Sequence, residues 1–209
     1  MNSAHSIDVL VVGLGPAGAR AAADAASAGA SVLAVDRRKE AGFPVQCAEL
    51  VPAMIDQELQ GLEALTWQRI DAMLTFVESD DADYMPEFHG RMIDRQAFDR
   101  SLVLMAEQAG ANCRFEAEVR SIDQYGEVTL SAGETIIPRL IIGADGPRSR
   151  VGRAIGSINT EIVETRQITV PLVKSQNTTD IYLSTKILGG YGWFFPKGGR
   201  ANIGAGIVP

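Results

Sequence analysis

The stretch IDVLVVGLGPAGARAAADAASAGASVLAVD, residues 7–36, decides the fold. Residues 7–12, IDVLVV, are an apolar, β-branched run of the kind that makes a strand buried on both faces. GLGPAGA follows at once and predicts a turn into a helix. Pro16 suits the first turn of that helix, where its missing N–H removes a donor that has no intrahelical partner anyway. ARAAADAASA is rich in helix-favouring alanine until Gly29 ends it, and SVLAVD, residues 31–36, predicts a second parallel strand. Within this βαβ unit Gly13, Gly15 and Gly18 spell GxGxxG, and Asp36 closes the next strand. Gly13 permits the tight turn, Gly15 lets backbone amides approach a diphosphate at the positive helix end, and Gly18 allows close helix–sheet packing. Asp36 can accept hydrogen bonds from an adenosine ribose. A glycine-rich turn with no ligand is the plainer reading, but such glycines would then only weaken the helix.

Composition bounds the rest. A chain of 209 residues, 46% hydrophobic and 22% charged, has ordinary globular make-up and length for one sizeable core or two modest ones. A formal net charge of −7 without basic clusters argues against nucleic acid as a partner. MNSAHSID lacks the pattern of a secretory signal, and no segment offers about 18 uncharged apolar residues, so a cytoplasmic chain is expected. Cys47 and Cys113 cannot form a disulfide framework, and two histidines without a paired CxxC leave no metal site.

Further along, VPAMIDQELQGLEAL, residues 51–65, predicts a short amphipathic helix interrupted near Gly61, and AMLTFVES predicts a strand. Residues 84–93 read as an extended pair. A helix begins at Asp94, with Phe98, Leu102, Met105 and Ala109 on one face, and Gly110 stops it. CRFEAEV alternates like a half-buried strand, and EVTLSAGETIIPRLII reads as a hairpin whose second strand runs into GADG. After GADGPRSRVGRAIG come RQITVPLVK, TDIYLSTKIL, GYGWFFPK and ANIGAGIV, which predict a separate antiparallel sheet. The expected fold class is therefore α/β, a Rossmann-like domain with a parallel sheet plus a second antiparallel β-sheet domain.

With GxGxxG and Asp36 at one end and GADGPRSRVG at the other, the chain resembles two-domain FAD-dependent oxidoreductases, the group that includes aromatic hydroxylases, halogenases and geranylgeranyl reductases. FPVQCAE, with Cys47, resembles the PxxCAE or PxxCGE segment of the geranylgeranyl reductases, and YGWFFPKGG matches their YxWxFP signature at Tyr191, Trp193, Phe195 and Pro196. The chain departs from many of them at Leu50, where they carry glycine after the Glu. MIDRQAFDRSL looks like the family's DRxxFDxxL stretch.

The resemblance implies FAD as cofactor, held through Gly13, Gly15, Pro16, Ala17, Gly18, Asp36 and Arg37, with Cys47 and Ala48 near the isoalloxazine. It implies Arg95 approaching the cofactor, Val119 meeting adenine through backbone atoms, and Asp145 and Gly146 near the pyrophosphate and ribityl chain. It implies reduction of isoprenoid carbon–carbon double bonds, with NAD(P)H or another external reductant. Cys47, Tyr191 and Trp193 are the expected catalytic-site residues. Tyr191, Trp193, Phe195 and Pro196 are the expected substrate-binding residues. In an extended strand Tyr191, Trp193 and Phe195 share one face, so they can form an aromatic wall for a hydrophobic isoprenoid or lipid-like substrate, which brings peripheral membrane contact into the expectation. They can equally be core, and Cys47 can equally be a small buried hydrophobe.

The FAD-binding domain is expected over 1–69 and 96–158, and the substrate-side sheet over 70–95 and 159–209, incomplete at its C-terminal end. Family members continue to a third FAD segment, so a further segment or partner chain is expected to supply it. Two other readings stay open: a monooxygenase or halogenase on the same scaffold, and an inactive FAD-binding fragment.

Overall fold

A computed structural model of the chain describes residues 7–52, 54 and 61–209. Its strands, in chain order, are β1 (Val9–Val12), β2 (Val32–Val35), β3 (Leu50–Pro52), β4 (Thr66–Ile70), β5 (Ala72–Val77), β6 (Ala82–Met85), β7 (Gly90–Ile93) and β8 (Asn112–Arg114). They continue as β9 (Val119–Ile122), β10 (Val128–Leu130), β11 (Thr135–Ile136), β12 (Leu140–Gly143), β13 (Glu164–Pro171), β14 (Thr178–Leu183), β15 (Tyr191–Lys197) and β16 (Arg200–Ile207). The helices are α1 (Pro16–Ser27), α2 (Arg95–Gln108) and α3 (Arg150–Ala154). The backbone divides into two units, Met1–Val45 with Gln96–Thr160, and Gln46–Arg95 with Glu161–Pro209. The expected boundary at residue 70 thus lies at 46, because Leu50–Pro52 and Thr66–Ile70 pair with β7 and so belong to the second unit.

In the first unit a parallel sheet runs β12-β1-β2-β8, with β1 inside it and all four of its residues buried. One face of β1 and β2 presents Leu10, Val12, Leu33 and Val35 to a core shared with Val119, Val128, Leu130 and Ile136 of a three-stranded sheet. By alternation Val9, Val11, Val32 and Ala34 point the other way. Helix α1 buries Gly18, Ala19, Ala22, Ala23 and Ala26, side chains small enough to bring a helix close to its neighbours. On α2 the buried set is Phe98, Asp99, Leu102, Val103 and Ala106, so the stripe lies further round than expected and Met105 is exposed.

Two expected strands are divided. CRFEAEV is not one strand: β8 joins the parallel sheet and β9 the three-stranded sheet. The chain breaks between them at Glu116, φ +56, where the Glu116 and Ala117 N–H groups donate to Arg38 and Asp36 carbonyls. The hairpin β10–β11 forms, but its second strand stops at Ile136. Residues 140–143 are a new strand lying parallel to β1, in register from Leu140 opposite Val9.

In the second unit a six-stranded sheet runs β13-β16-β15-β14-β5-β6, antiparallel except at the β14–β5 seam, which is parallel. A three-stranded sheet, β3-β7-β4, supplies Met92 and Ile70 to a core with Trp193 and Phe195. Val51 and Pro52, expected in a helix, are strand here, and Leu62–Leu65 form a short 3-10 turn. The middle of that expected helix, 53 and 55–60, lies outside the described residues. On the opposite face of the large sheet one row crosses all six strands: Ile168, Ile203, Phe194, Asp180, Leu74 and Tyr84. Asp180 is the polar member of that row, and its Oδ1 is buried with no hydrogen-bond partner among the described residues. Among the described residues no helix is long and apolar enough to cross a membrane.

Candidate functional site

The glycine turn is fixed by contacts that a side chain would destroy. Gly13 has φ +101, and a Cβ there would lie 2.3 Å from the Ala144 carbonyl oxygen. A Cβ on Gly18 would lie 1.8 Å from the Gly13 oxygen, so α1 and the turn touch backbone to backbone. Gly15 differs: it caps α1 in extended conformation, and its missing side chain faces open space, with nothing within 4 Å. Packing does not require a glycine there, and the missing side chain leaves the backbone open to approach. Pro16 opens the helix beside the exposed Ala17, and no side chain caps the first turn, so N–H groups at Ala17 and Gly18 have no intrahelical acceptor. The arrangement suits a diphosphate.

Asp36, 6% exposed at the end of β2, holds this turn. Its Oδ2 accepts the Leu14 N–H at 2.8 Å and its Oδ1 the Arg38 N–H at 2.8 Å, with the Arg38 guanidinium 3.7 Å away. Each oxygen keeps a second lone pair, so ribose hydroxyls remain within its capacity. Arg37 is exposed next to it. Val119 is buried, but β9 is an edge strand of its sheet, and such a strand leaves one row of backbone groups outside the ladder. Asp145 organises the start of α3: its Oδ1 accepts from the Ser149 hydroxyl at 2.5 Å and its Oδ2 from the Arg150 N–H at 2.6 Å. Gly146, φ +83, makes the turn that allows this, and it too has open space on its Cβ side.

In the second unit Cys47 is half-buried, and its sulfur accepts the Glu49 N–H at 3.2 Å. The Cys47 carbonyl accepts from Gln167 Nε2 at 3.3 Å, and the half-buried Ala48 presents its carbonyl to Asn202 Nδ2 at 3.2 Å. Glu49, 5% exposed, ion-pairs with Lys197 at 2.6 Å. Its other oxygen accepts the backbone N–H of the half-buried Arg95 at 3.5 Å. Cys113 lies in the first unit, where burial and then the Glu107 carboxylate push its thiol up to about 11.

The aromatic strand places its rings in series. Tyr191 meets Trp193 edge to face with centroids 5.7 Å apart, and Trp193 meets Phe195 at 6.1 Å. Trp193 and Phe195 are 6% and 4% exposed and Pro196 is fully buried, so three of the four expected substrate residues sit in the core. Tyr191 is the open end of the series, at 45%. The indole lies against Gly204, where a Cβ would come within 2.4 Å of the ring. Its N–H donates to Gln167 Oε1 at 3.0 Å. Sequence alone does not single out Glu49, Gln167, Lys197 or Asn202. Glu49 and Lys197 lie inside the CAE and YGWFFPK segments, but only strand pairing brings Gln167 and Asn202 to them.

Residues 8–137 match the family model described as FAD dependent oxidoreductase. The chain belongs to that family. Among its relatives, digeranylgeranylglycerophospholipid reductase 1 of Methanococcoides burtonii is 36% identical over 96% of this chain and 54% of its own length. A geranylgeranyl bacteriochlorophyll reductase-like structure from Thermoplasma acidophilum superimposes with a TM-score of 0.83 at 28% identity, covering 97% of this chain and 57% of that one. The chain thus spans just over half the length of these relatives. PqsL, a probable FAD-dependent monooxygenase from Pseudomonas aeruginosa, shares the fold, with a TM-score of 0.74, 19% identity and coverage of 98% and 61%.

Proposed function

We propose that this chain is the FAD-holding and aromatic-sheet portion of a reductase that saturates isoprenoid double bonds of the geranylgeranyl type. The observation that carries the reading is the 36% identity to a digeranylgeranylglycerophospholipid reductase across 96% of the chain. The CAE turn and the YxWxFP strand, which that reading requires to work together, are hydrogen-bonded to each other through Gln167.

FAD, when bound and reduced by NAD(P)H or another external donor, would supply hydride to one alkene carbon, and a proton drawn from solvent would complete the other. The chain's residues bind and orient. The first-turn amides of α1, with the open side of Gly15, receive the diphosphate, Asp36 takes ribose hydroxyls, and the loop at Asp145–Gly146 offers backbone beside them. Tyr191 offers an apolar, half-open ring to a polyprenyl chain, backed by Trp193 and Phe195, which limit its movement. A lipid substrate places the work at a membrane surface reached from the cytoplasm, and the remaining length seen in the relatives, or a partner chain, completes the site.

Adding FAD to the purified chain should give a bound flavin band, and Gly15→Val should weaken that binding about tenfold or more while leaving the unfolding midpoint within a few degrees. Reduced flavoprotein, in the chain or its longer form, should add one H2 per saturated bond to a geranylgeranyl lipid, read by mass spectrometry. Oxygen uptake coupled to a hydroxylated or halogenated product would establish the monooxygenase-type reading instead. Absence of flavin binding would leave an inactive fragment.

A further inference from the structure

Glu49 is costly where it stands. Its φ of +69 lies in the left-handed region that disfavours non-glycine residues, and its carboxylate is buried. A residue so placed persists only if its surroundings hold it there. Three strands of the large sheet do so, and together they reach every residue of the turn. From β13, Gln167 donates to the Cys47 carbonyl at 3.3 Å. From β16, Asn202, with none of its surface exposed, donates to the Ala48 carbonyl at 3.2 Å and to Glu49 Oε2 at 2.9 Å. At the end of β15, Lys197 donates to Glu49 Oε2 at 2.6 Å.

The holders are themselves held. Asn202 Oδ1 accepts from the Thr169 hydroxyl at 2.8 Å, which fixes which end of the amide faces the turn. Gln167 Oε1 accepts from the Trp193 indole N–H at 3.0 Å, so one amide ties the signature tryptophan to the carbonyl of Cys47. Lys197 sits 5.4 Å from the Trp67 ring centroid, a cation–π contact that steadies its ammonium.

We infer that Gln167, Asn202 and Lys197 are positioning residues that set the Cys47–Glu49 turn in register on the strand bearing the rings, and that Trp193 acts on the turn through Gln167. The value of this for catalysis rests on the proposed function. The grip itself does not.

The test is hydrogen–deuterium exchange of residues 46–50 against that of β15 and β16, with alkylation of Cys47 by iodoacetamide, on the whole chain. Lys197→Met strands the Glu49 carboxylate and should speed exchange in the turn roughly tenfold, with the sheet within about twofold of the parent. Glu49→Gln combined with Lys197→Met removes both charges and should return the rate toward the parent, a coupling that independent sites would not show. Gln167→Leu, at an exposed position, should speed exchange about threefold and Cys47 alkylation with it, and it carries the test if Lys197→Met does not fold. Cys113, its thiol held at about 11, is the internal reference and should stay unreacted near neutral pH. Unchanged exchange at 46–50 overturns the inference. So does exchange rising in step through the sheet, or the two thiols gaining reactivity together, because either marks general loosening. None of these measurements needs flavin, so a chain that fails to bind FAD counts against the proposed function alone.

Discussion

Two turns in this molecule are organised around a buried carboxylate, by opposite means. Asp36 accepts backbone N–H groups from Leu14 and Arg38, both inside or beside one βαβ unit. Glu49 accepts from the side chains of Lys197 and Asn202, 148 and 153 positions away in sequence. Backbone donors are present whatever the residue type, so the first turn needs only glycines that clear the space and an acid that reaches it. The second turn depends on specific side chains delivered by strand register, and a change in any holder leaves a buried charge or carbonyl unmatched.

The largest expected effect tests the first turn's dependence on empty space. Gly18→Ala, whose Cβ would sit 1.8 Å from the Gly13 oxygen, should destabilise by about 3 kcal/mol or more in urea unfolding. A parental midpoint would mean that the turn can move, and the contrast with the Glu49 turn would fail. Next is a matched pair. Glu49→Gln leaves the Lys197 ammonium partly buried without its counter-charge and should cost about 2 kcal/mol, reduced from a fully buried pair because Lys197 is 20% exposed. Asp36→Asn keeps an oxygen for one backbone donor and should cost about 1 kcal/mol. Equal losses would remove the distinction between backbone-held and side-chain-held acids.

The smallest effect sharpens the comparison with a third acid. Burial lifts the Asp180 carboxyl above its ordinary 3.8, with the Tyr182 hydroxyl acting the other way. The native state therefore binds this proton more tightly than the unfolded chain. The associated stability is fully present below pH 3.8 and is lost as pH rises through the folded value. Asp180→Asn has no such proton, so it should gain slightly on the parent as pH rises from about 4 to 7, the gain kept small because solvent screens this half-buried group. Thermal midpoints that run parallel for both proteins across that range would show that the Asp180 environment does not penalise the charge.

The same contrast explains how much is legible in the sequence. The βαβ unit can be read because each of its signals acts locally: the apolar run of β1, Pro16 at the helix start, and Gly13 at positive φ. The CAE and YxWxFP segments can be recognised, but their joining cannot, since Gln167 and Asn202 lie in strands that alternation places without saying which neighbours they pair with. The same limit hides the strand at Leu140, where an apolar run after Pro138 reads as the end of a hairpin until β1 is seen beside it. The aromatic strand is legible as one face of rings. That Trp193 and Phe195 are covered follows from Ile70 and Met92 on the three-stranded sheet, and Ile70 lies in β4, a strand the sequence reading does not mark.

The place kept for the Trp193 indole by Gly204 has a practical consequence. The chain has two tryptophans, and they are opposites: Trp193 is dry at 6% exposure, while Trp67 is wet at 56%. Under ultraviolet excitation the dry one should emit at shorter wavelength than the wet one. With Trp67 changed to phenylalanine, the colour of the remaining light becomes a label-free gauge of whether water has entered the sheet.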